Sequence, residues 1–235
     1  GTSFATVANG AYTLDRWRIQ DNGAGTITIT QDTDVPNNTF INALKWDVTG
    51  VDASLAAGDQ YRIRQNIEGL NCSQLGQGTS GAATVTISWW VKATKTGIYS
   101  LSLNNSAFDR YYVTEYTVDA TNTWEYKSET ITLDTTGTWL TTNGIGLNVE
   151  WSIASGSTLT TSTLDAWTAG TKVASTNQVN AMDSTDNNFH LTGVQLEIGA
   201  AATDFEHREY GGELARCQRY FHPVSYTHLT LPTNR

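Results

Sequence analysis

The segment Thr84–Ala93, with the sequence TVTISWWVKA, decides the class of the fold. Its odd-numbered positions from 85 to 91 carry Val, Ile, Trp and Val, whereas its even-numbered positions carry Thr, Ser, Trp and Lys. Successive side chains of a β-strand point to opposite faces of the sheet, so this alternation predicts a strand with one apolar face. Trp89 is therefore predicted to lie in a core, and Trp90 on the opposite face.

The same two-residue period recurs along the chain, and the only helical period lies near the C-terminal end. Nine strands are predicted, at residues 26–31, 43–48, 60–68, 84–93, 97–103, 110–118, 123–133, 145–153 and 189–197. Short strands at this spacing are typical of a two-sheet sandwich, and the long excursion between the first and last strands favours a jelly roll. We therefore expect an all-β fold, a two-sheet jelly-roll sandwich with a short C-terminal α-helix.

Composition narrows the class of partner. The 235 residues suit one large all-β domain. The chain carries 14 basic and 23 acidic residues, a formal net charge of -9, and it has no basic cluster, so no nucleic-acid partner is expected. Charged residues make up only 16% of the chain, which suits hydrogen bonding to neutral hydroxylated ligands. No apolar run reaches the roughly 18 residues of a spanning helix, so no membrane insertion is expected.

Two further strands carry polar side chains opposite their apolar side. In residues 145–153 the side opposite the apolar residues carries Asn, Glu and Ser. In Gln60–Glu68 it carries Arg62, Arg64 and Glu68. A polar or aromatic outer face of this kind is either a ligand surface or the bed for a covering segment.

Aromatic residues are abundant, with eight Trp and ten Tyr. Sugar recognition uses flat aromatic rings against the apolar patches of pyranose rings, with amides and carboxylates for the hydroxyl groups. The alternative is that these aromatics fill the core, because aromatics favour strands in any case. The candidate carbohydrate-binding residues are Trp90, Tyr112, Tyr116, Trp124, Tyr126 and Glu150.

Catalysis finds little support in the sequence, and we expect a protein that is not an enzyme. The chain has no G-x-S-x-G elbow and no H-E-x-x-H motif. A carboxylate pair for glycoside cleavage is defined by spatial separation and not by spacing in the sequence. Such a pair among Glu115, Glu125 and Glu150 stays open as the alternative to solvated strand carboxylates.

No cofactor is expected. Asp32 with Asp34, and the run at residues 183–188, have the oxygen-rich character of a calcium loop. Neither shows the D-x-D-x-D-G pattern, so a structural calcium ion is not supported by a motif. Cys72 and Cys217 are either a disulfide or, for Cys217, a small apolar residue on the inner face of the terminal helix.

The closing segment, residues 189–221, reads FHLTGVQLEIGAAATDFEHREYGGELARCQRYF. It resembles the end of a recurrent module in phage tail-fibre and other virion-surface proteins, which reads roughly FE-x-R-x-YG-x-EL-x-x-CQRYF. The resemblance extends to DRW at 15–17, IRQNIEG at 63–69, ISWWVKATKTGIYSLSLNN at 87–105 and TWEYKSETI at 123–131. The matching terminal residues are Phe205, Glu206, Arg208, Tyr210, Gly211, Glu213, Leu214, Cys217, Gln218, Arg219, Tyr220 and Phe221.

This resemblance implies a carbohydrate-binding-like jelly-roll module that recognises cell-surface glycans for host adsorption. It implies a homo-oligomer, a trimer, within a longer fibre, located in the virion tail or outside the cell. In the terminal helix, Leu214 and Phe221 are expected to face the core. Two alternatives stay open: a structural or trimerisation domain of a virion fibre, and an accessory carbohydrate-binding module of a secreted polysaccharide-degrading enzyme.

Residues 224–235, VSYTHLTLPTNR, resemble a translated sequencing adapter of the kind found in metagenomic assemblies. We therefore expect a single domain at residues 1–223 and a non-native tail at 224–235. The alternative is a genuine edge strand, since Leu229 and Leu231 alternate with Thr. The chain starts at Gly1 without Met, which is expected of an internal or C-terminal part of a longer protein.

Overall fold

A computed structural model describes residues 2–5, 7–14 and 16–218 of the chain. The described residues form β-strands and one short α-helix. The strands are β1 Ser3–Ala5, β2 Trp17–Asp21, β3 Thr26–Asp32, β4 Ala43–Gly50, β5 Gln60–Glu68, β6 Thr84–Ala93, β7 Gly97–Asn104, β8 Arg110–Val118, β9 Glu125–Thr132, β10 Ile145–Ser155, β11 Thr160–Thr161, β12 Thr168–Ala169, β13 Ala174–Ser175 and β14 Asn188–Ile198. The helix α1 is Tyr210–Gln218.

Two antiparallel sheets hold most of these strands. Sheet A has the order β1-β3-β4-β14-β6-β9, and sheet B has the order β12-β8-β7-β10-β5-β2. The last strand, β14, lies between β4 and β6 in the middle of sheet A, as the return connection of a jelly roll requires. A short parallel pair, β11 with β13, lies outside both sheets. The all-β jelly-roll fold with a short C-terminal helix is confirmed.

Aromatic side chains fill the core between the sheets. Trp46, Trp89 and Trp151 are completely buried. Trp89 of sheet A meets Trp151 of sheet B edge to face, with ring centroids 5.9 Å apart. Edge-to-face pairs add to the free energy gained by burying the ring area. Trp89 therefore lies in the core as its position in the alternating strand predicts, and Trp90 is only half-buried on the outer face.

A bulge in β14 shapes the outer face of sheet A. The pairing of β14 with β6 shifts between Thr192 and Gln195. Gly193, inside this bulge, has a φ of 59°, and a Cβ atom there would lie 2.7 Å from the ring of Phe40 and 3.2 Å from Trp90. Glycine is therefore needed twice, for the left-handed backbone and for the close approach of two rings.

The chain divides into two compact units, Gly1–Phe205 and Glu206–Arg235. The first unit contains both sheets. In the second, α1 carries Leu214 with 42% of its surface exposed and Tyr210 with 81% exposed. The expectation that Leu214 is buried is therefore wrong. Phe221 and the predicted tail at 224–235 lie outside the described residues. Within the described ranges, no helix is long and apolar enough to cross a membrane.

Candidate functional site

Two aromatic rings stand side by side on the outer face of sheet A. Trp90 of β6 lies directly opposite Tyr126 of β9, and the ring centroids are 5.4 Å apart. Thr192 of β14 lies opposite Trp90 on its other side. Tyr126 is 46% exposed, so one ring of the pair is open to a ligand.

Trp124 extends this aromatic pair along the edge of the sheet. Its indole N–H donates a hydrogen bond of 2.9 Å to Asp34 Oδ1. The Lys92 ammonium group forms an ion pair with the same carboxylate and lies 5.4 Å from the centre of the indole ring. Hydrogen bonds from Lys92 and from Trp124 lower the pKa of Asp34, so this carboxylate is ionised at neutral pH. We call Trp90, Trp124 and Tyr126 the aromatic surface.

His190 lies beneath Trp124 and is almost completely buried. Its ring centroid is 5.9 Å from that of Trp124, and its Nε2 lies 3.2 Å from Asp32 Oδ2. Burial, and then the positive charge of Lys92, lower the pKa of His190. The imidazole is therefore neutral at pH 7 and serves to support the indole.

The structure places Tyr112 and Tyr116 away from the aromatic surface. Both belong to β8 of sheet B, whose even-numbered residues face the core. Tyr116 is 5% exposed and packs on Trp89, with a centroid distance of 5.1 Å. Tyr112 is 8% exposed and packs on Trp167. Neither ring offers a face to a ligand in this conformation.

Glu150 also lies apart from the aromatic surface, on the outer face of sheet B. Its side chain is completely buried and forms ion pairs with Arg62 and Arg64. The alternation of polar residues predicts the face correctly for all three side chains. It does not predict their burial, which comes from Phe108 and from segments distant in the sequence that fold over this face.

The carboxylates that were candidates for hydrolysis lie in separate networks. Glu115 accepts hydrogen bonds from Ser175 and Asn177. Glu125 accepts hydrogen bonds from the backbone N–H groups of residues 119 and 120 and forms an ion pair with Lys127. With Glu150 bound by two arginines, each of the three carboxylates has its own partners.

The oxygen-rich segments hold basic or amide partners. Asp34 binds Lys92, and Asp183 binds both Lys95 and Asn187. Within the described ranges, no group of three or more His, Cys, Asp or Glu side chains is placed to hold a metal ion.

Cys72 is a buried free thiol, and burial raises its pKa to about 12. A thiol that stays protonated is a poor nucleophile, which suits a packing role. The side chain of Cys217 lies outside the described residues.

Sequence patterns missed Phe40 as a neighbour of the aromatic surface. Phe40 packs edge to face on Phe205, with centroids 5.2 Å apart, and the bulge at Gly193 brings it close to Trp90. The available signal was the glycine itself, because a glycine inside a strand pattern marks a bulge or a close approach.

No protein-family model matches the chain, and no curated protein matches it in sequence. The fold is similar to the enzymatically active domain of bacteriophage CBA120 tailspike protein 4, with 13% identity and a TM-score of 0.46 over 83% of this chain and 21% of that one. It is also similar to the C-terminal family 22 carbohydrate binding module of Clostridium thermocellum Xyn10B, with 13% identity and a TM-score of 0.44 over 83% of this chain and 99% of that module.

A third similar structure is a family 11 carbohydrate-binding module from Clostridium thermocellum in complex with a β-1,3-1,4-mixed-linked tetrasaccharide. It shares 11% identity and a TM-score of 0.39, over 86% of this chain and 98% of the module. The chain thus spans about a fifth of the tailspike chain and nearly the whole of both modules. At such low identity, no binding residue of these proteins is carried over to this chain.

Proposed function

We propose that this chain is a non-catalytic carbohydrate-binding module of a phage tail fibre, which adsorbs to cell-surface glycans through the aromatic surface. The observation that supports this most is the pairing of Trp90 with Tyr126 on the outer face of sheet A, next to an indole held by Asp34. An aromatic ring kept half-exposed on a sheet adds little to the core, so its retention there suggests contact with a ligand.

The polar groups around the rings suit a hydroxylated ligand. Asp34 is ionised and more than half exposed, so its free lone pairs can accept hydrogen bonds from sugar hydroxyl groups. Thr192 adds a hydroxyl group beside Trp90, although its own proton is donated to the carbonyl of Asn42. Flat rings bordered by such acceptors match the apolar face and the equatorial hydroxyl groups of a pyranose.

The tail-fibre origin rests on the sequence resemblance of residues 189–221 and the four internal segments. Assembly as a trimer is part of the same proposal. Single sugar sites bind weakly, and a fibre that presents several copies gains affinity through multivalency.

The experiment compares Tyr126→Ala and Trp90→Ala with Tyr126→Phe in glycan-array and whole-cell binding. Tyr126→Phe keeps the ring and serves as the matched control. We expect both alanine variants to lose about tenfold or more in affinity, as removal of an aromatic anchor does at interfaces, while Tyr126→Phe binds nearly like the parent. Unchanged thermal midpoints verify that the fold is intact.

If both alanine variants bind like the parent, the aromatic surface is not the glycan site. Sedimentation of the same variants tests the structural alternative. Dissociation of an oligomer by Trp90→Ala, in a protein whose parent form binds no glycan, would show that the aromatic surface is an assembly interface.

A further inference from the structure

The outer face of sheet B carries like charges directly opposite each other. Arg18 of β2 lies opposite Arg64 of β5. Arg62, two residues before Arg64 in the same strand, lies on the same face. Like charges that face each other across a strand pair destabilise the sheet.

Glu150 offsets only part of this charge. It pairs with both Arg62 and Arg64, each of which is more than nine-tenths buried. The pKa of Arg64 is lowered by burial, and the charges acting most strongly on it are one carboxylate, Glu150, and two guanidinium groups, Arg62 and Arg18. Of the charges that act most strongly on Arg64, two are therefore positive and one is negative, and buried charge without full compensation is costly.

Several buried polar side-chain atoms without hydrogen-bond partners border this cluster. Ser102 lies opposite Glu150, and Asn104 lies opposite Asn148, in the pairing of β7 with β10. All three of these uncharged side chains are completely buried. Within the described residues, Ser102 Oγ, Asn148 Oδ1 and both polar atoms of the Asn104 amide have no hydrogen-bond partner. Buried polar groups are normally paired, so these atoms point to a ligand or to bound water.

Two aromatic rings cover the arginines from outside. The Arg64 guanidinium lies 4.7 Å from the ring centre of Phe108, and that of Arg18 lies 5.9 Å from the ring of Tyr12. Tyr12 is 58% exposed, and Phe108 is half-buried. Phe108 belongs to the turn between β7 and β8 and has a φ of 55°, a conformation that costs energy for a residue other than glycine. A strained turn therefore closes the cluster.

We propose that this cluster is a subsite for a carboxylate-bearing sugar, in which Arg18 and Arg64 bind the carboxylate and Asn104 and Asn148 bind neighbouring hydroxyl groups when Phe108 moves aside. A guanidinium group matches a carboxylate with two parallel hydrogen bonds. The sugar ring would occupy the space of Phe108, beside Tyr12. This inference rests on the proposed function in one respect, that the ligand is a saccharide.

The net charge of the chain distinguishes a local cationic site from a general attraction to acidic sugars. At a formal net charge of -9, the whole molecule repels an acidic polymer. Affinity for an acidic sugar must then come from a local cationic site, and it should depend on single arginines.

The experiment measures binding of the full chain to saccharides ending in uronic or sialic acid, each paired with its methyl ester. The ester keeps the sugar ring and removes the charge. We expect the parent to bind at least one acid more tightly than its ester, and Phe108→Ala to bind that acid more tightly than the parent because the competing closed state is lost. Arg18→Gln should weaken acid binding about tenfold, as loss of a charge-assisted pair does, while Arg18→Lys retains part of it.

Lys95→Gln is the matched control, since it removes the same charge from the turn between β6 and β7, at the opposite end of β7 from Asn104, and it should bind like the parent. Arg18 is half-buried and can be changed with less risk to folding than Arg64. Binding of no acid by either the parent or Phe108→Ala overturns the inference, as does equal binding of acid and ester, or an Arg18→Gln variant that binds like the parent. Loss of acid binding in Trp90→Ala but not in Arg18→Gln would assign the acid to the aromatic surface. Loss in Arg18→Gln but not in Trp90→Ala supports this subsite, even if the aromatic surface binds no sugar.

Discussion

At the scale of single residues, the carboxyl group of Asp21 makes the stability of the fold depend on pH. Asp21 ends β2, where burial and the neighbouring charge of Asp52 raise its pKa to about 6. Its ionised form is therefore disfavoured in the folded protein. The ordinary value in the unfolded chain is near 3.8. Between these two values the folded state binds more protons, so the stabilising effect of the proton at Asp21 is lost as the pH rises.

Replacing Asp21 by Asn should consequently stabilise the protein at neutral pH. We expect Asp21→Asn to raise the free energy of unfolding by about 1 kcal/mol at pH 7, a value reduced for the partial exposure of the group, and to have little effect at pH 4. Urea unfolding at both pH values measures this. An equal effect at the two pH values would show that Asp21 does not titrate differently on folding.

Glu150 is the second residue whose charge decides stability. Glu150→Gln leaves Arg62 and Arg64 buried without their carboxylate. Breaking a buried ion pair from one side costs about 3 to 5 kcal/mol, so the denaturant midpoint should fall sharply. Glu115→Gln is the matched control, because Glu115 accepts hydrogen bonds from the neutral side chains of Ser175 and Asn177 and loses little. Similar midpoints for the two variants would contradict this account.

At the scale of elements, all nine strands predicted from the alternation of apolar residues are present, with ends that differ by two residues at most. Five strands were not predicted: Trp17–Asp21, which has only two apolar positions, and Ser3–Ala5 and the three two-residue strands, which are too short to show a period. Long-range pairing creates these strands, and a local pattern cannot show it.

Sequence patterns predicted only part of the candidate site. The alternation is clear in β6 but ambiguous in β8. Trp90, Trp124 and Tyr126 lie on one face because β6 and β9 pair in register, and the alternation in β6 identified the outer face. In β8, Tyr111 and Tyr112 are both aromatic, so alternation does not distinguish the inner face from the outer one. The structure puts Tyr112 and Tyr116 on the inner face.

The bulge in β14 should control both stability and the aromatic surface. Gly193→Ala forces a side chain into a left-handed backbone and toward the ring of Phe40. We expect a loss of about 1 to 3 kcal/mol in the free energy of unfolding and weaker glycan binding, since Trp90 lies in the same contact. Gly58→Ala is the control, because a Cβ atom at Gly58 meets nothing within 4 Å. If both variants unfold at the parent midpoint, the bulge does not depend on glycine.

At the scale of the whole molecule, the aromatic rings fall into a buried set between the sheets and a more exposed set on the outer face of sheet A. Trp46, Trp89 and Trp151 are buried and join the two sheets, whereas Tyr126 and Trp90 remain on the outer face. The core rings therefore pack the two sheets together and take no part in the outer face. A rigid surface loses little conformational entropy when it binds, but one small surface still provides only weak affinity.

Under the proposed function, presentation of several copies should determine how well the protein adheres to cells. Fusing the chain to a trimer-forming coiled coil should raise whole-cell affinity by about 10² or more over the single chain, because the second and third contacts become intramolecular. Surface plasmon resonance on immobilised glycan and flow cytometry with intact cells measure the gain. The Trp90→Ala trimer is the control, and it should lose most of the gain because each copy then lacks its anchor. A trimer that binds no better than the single chain would mean that the three surfaces cannot reach a glycan layer together, and a trimer that keeps its gain without Trp90 would place adhesion elsewhere on the molecule.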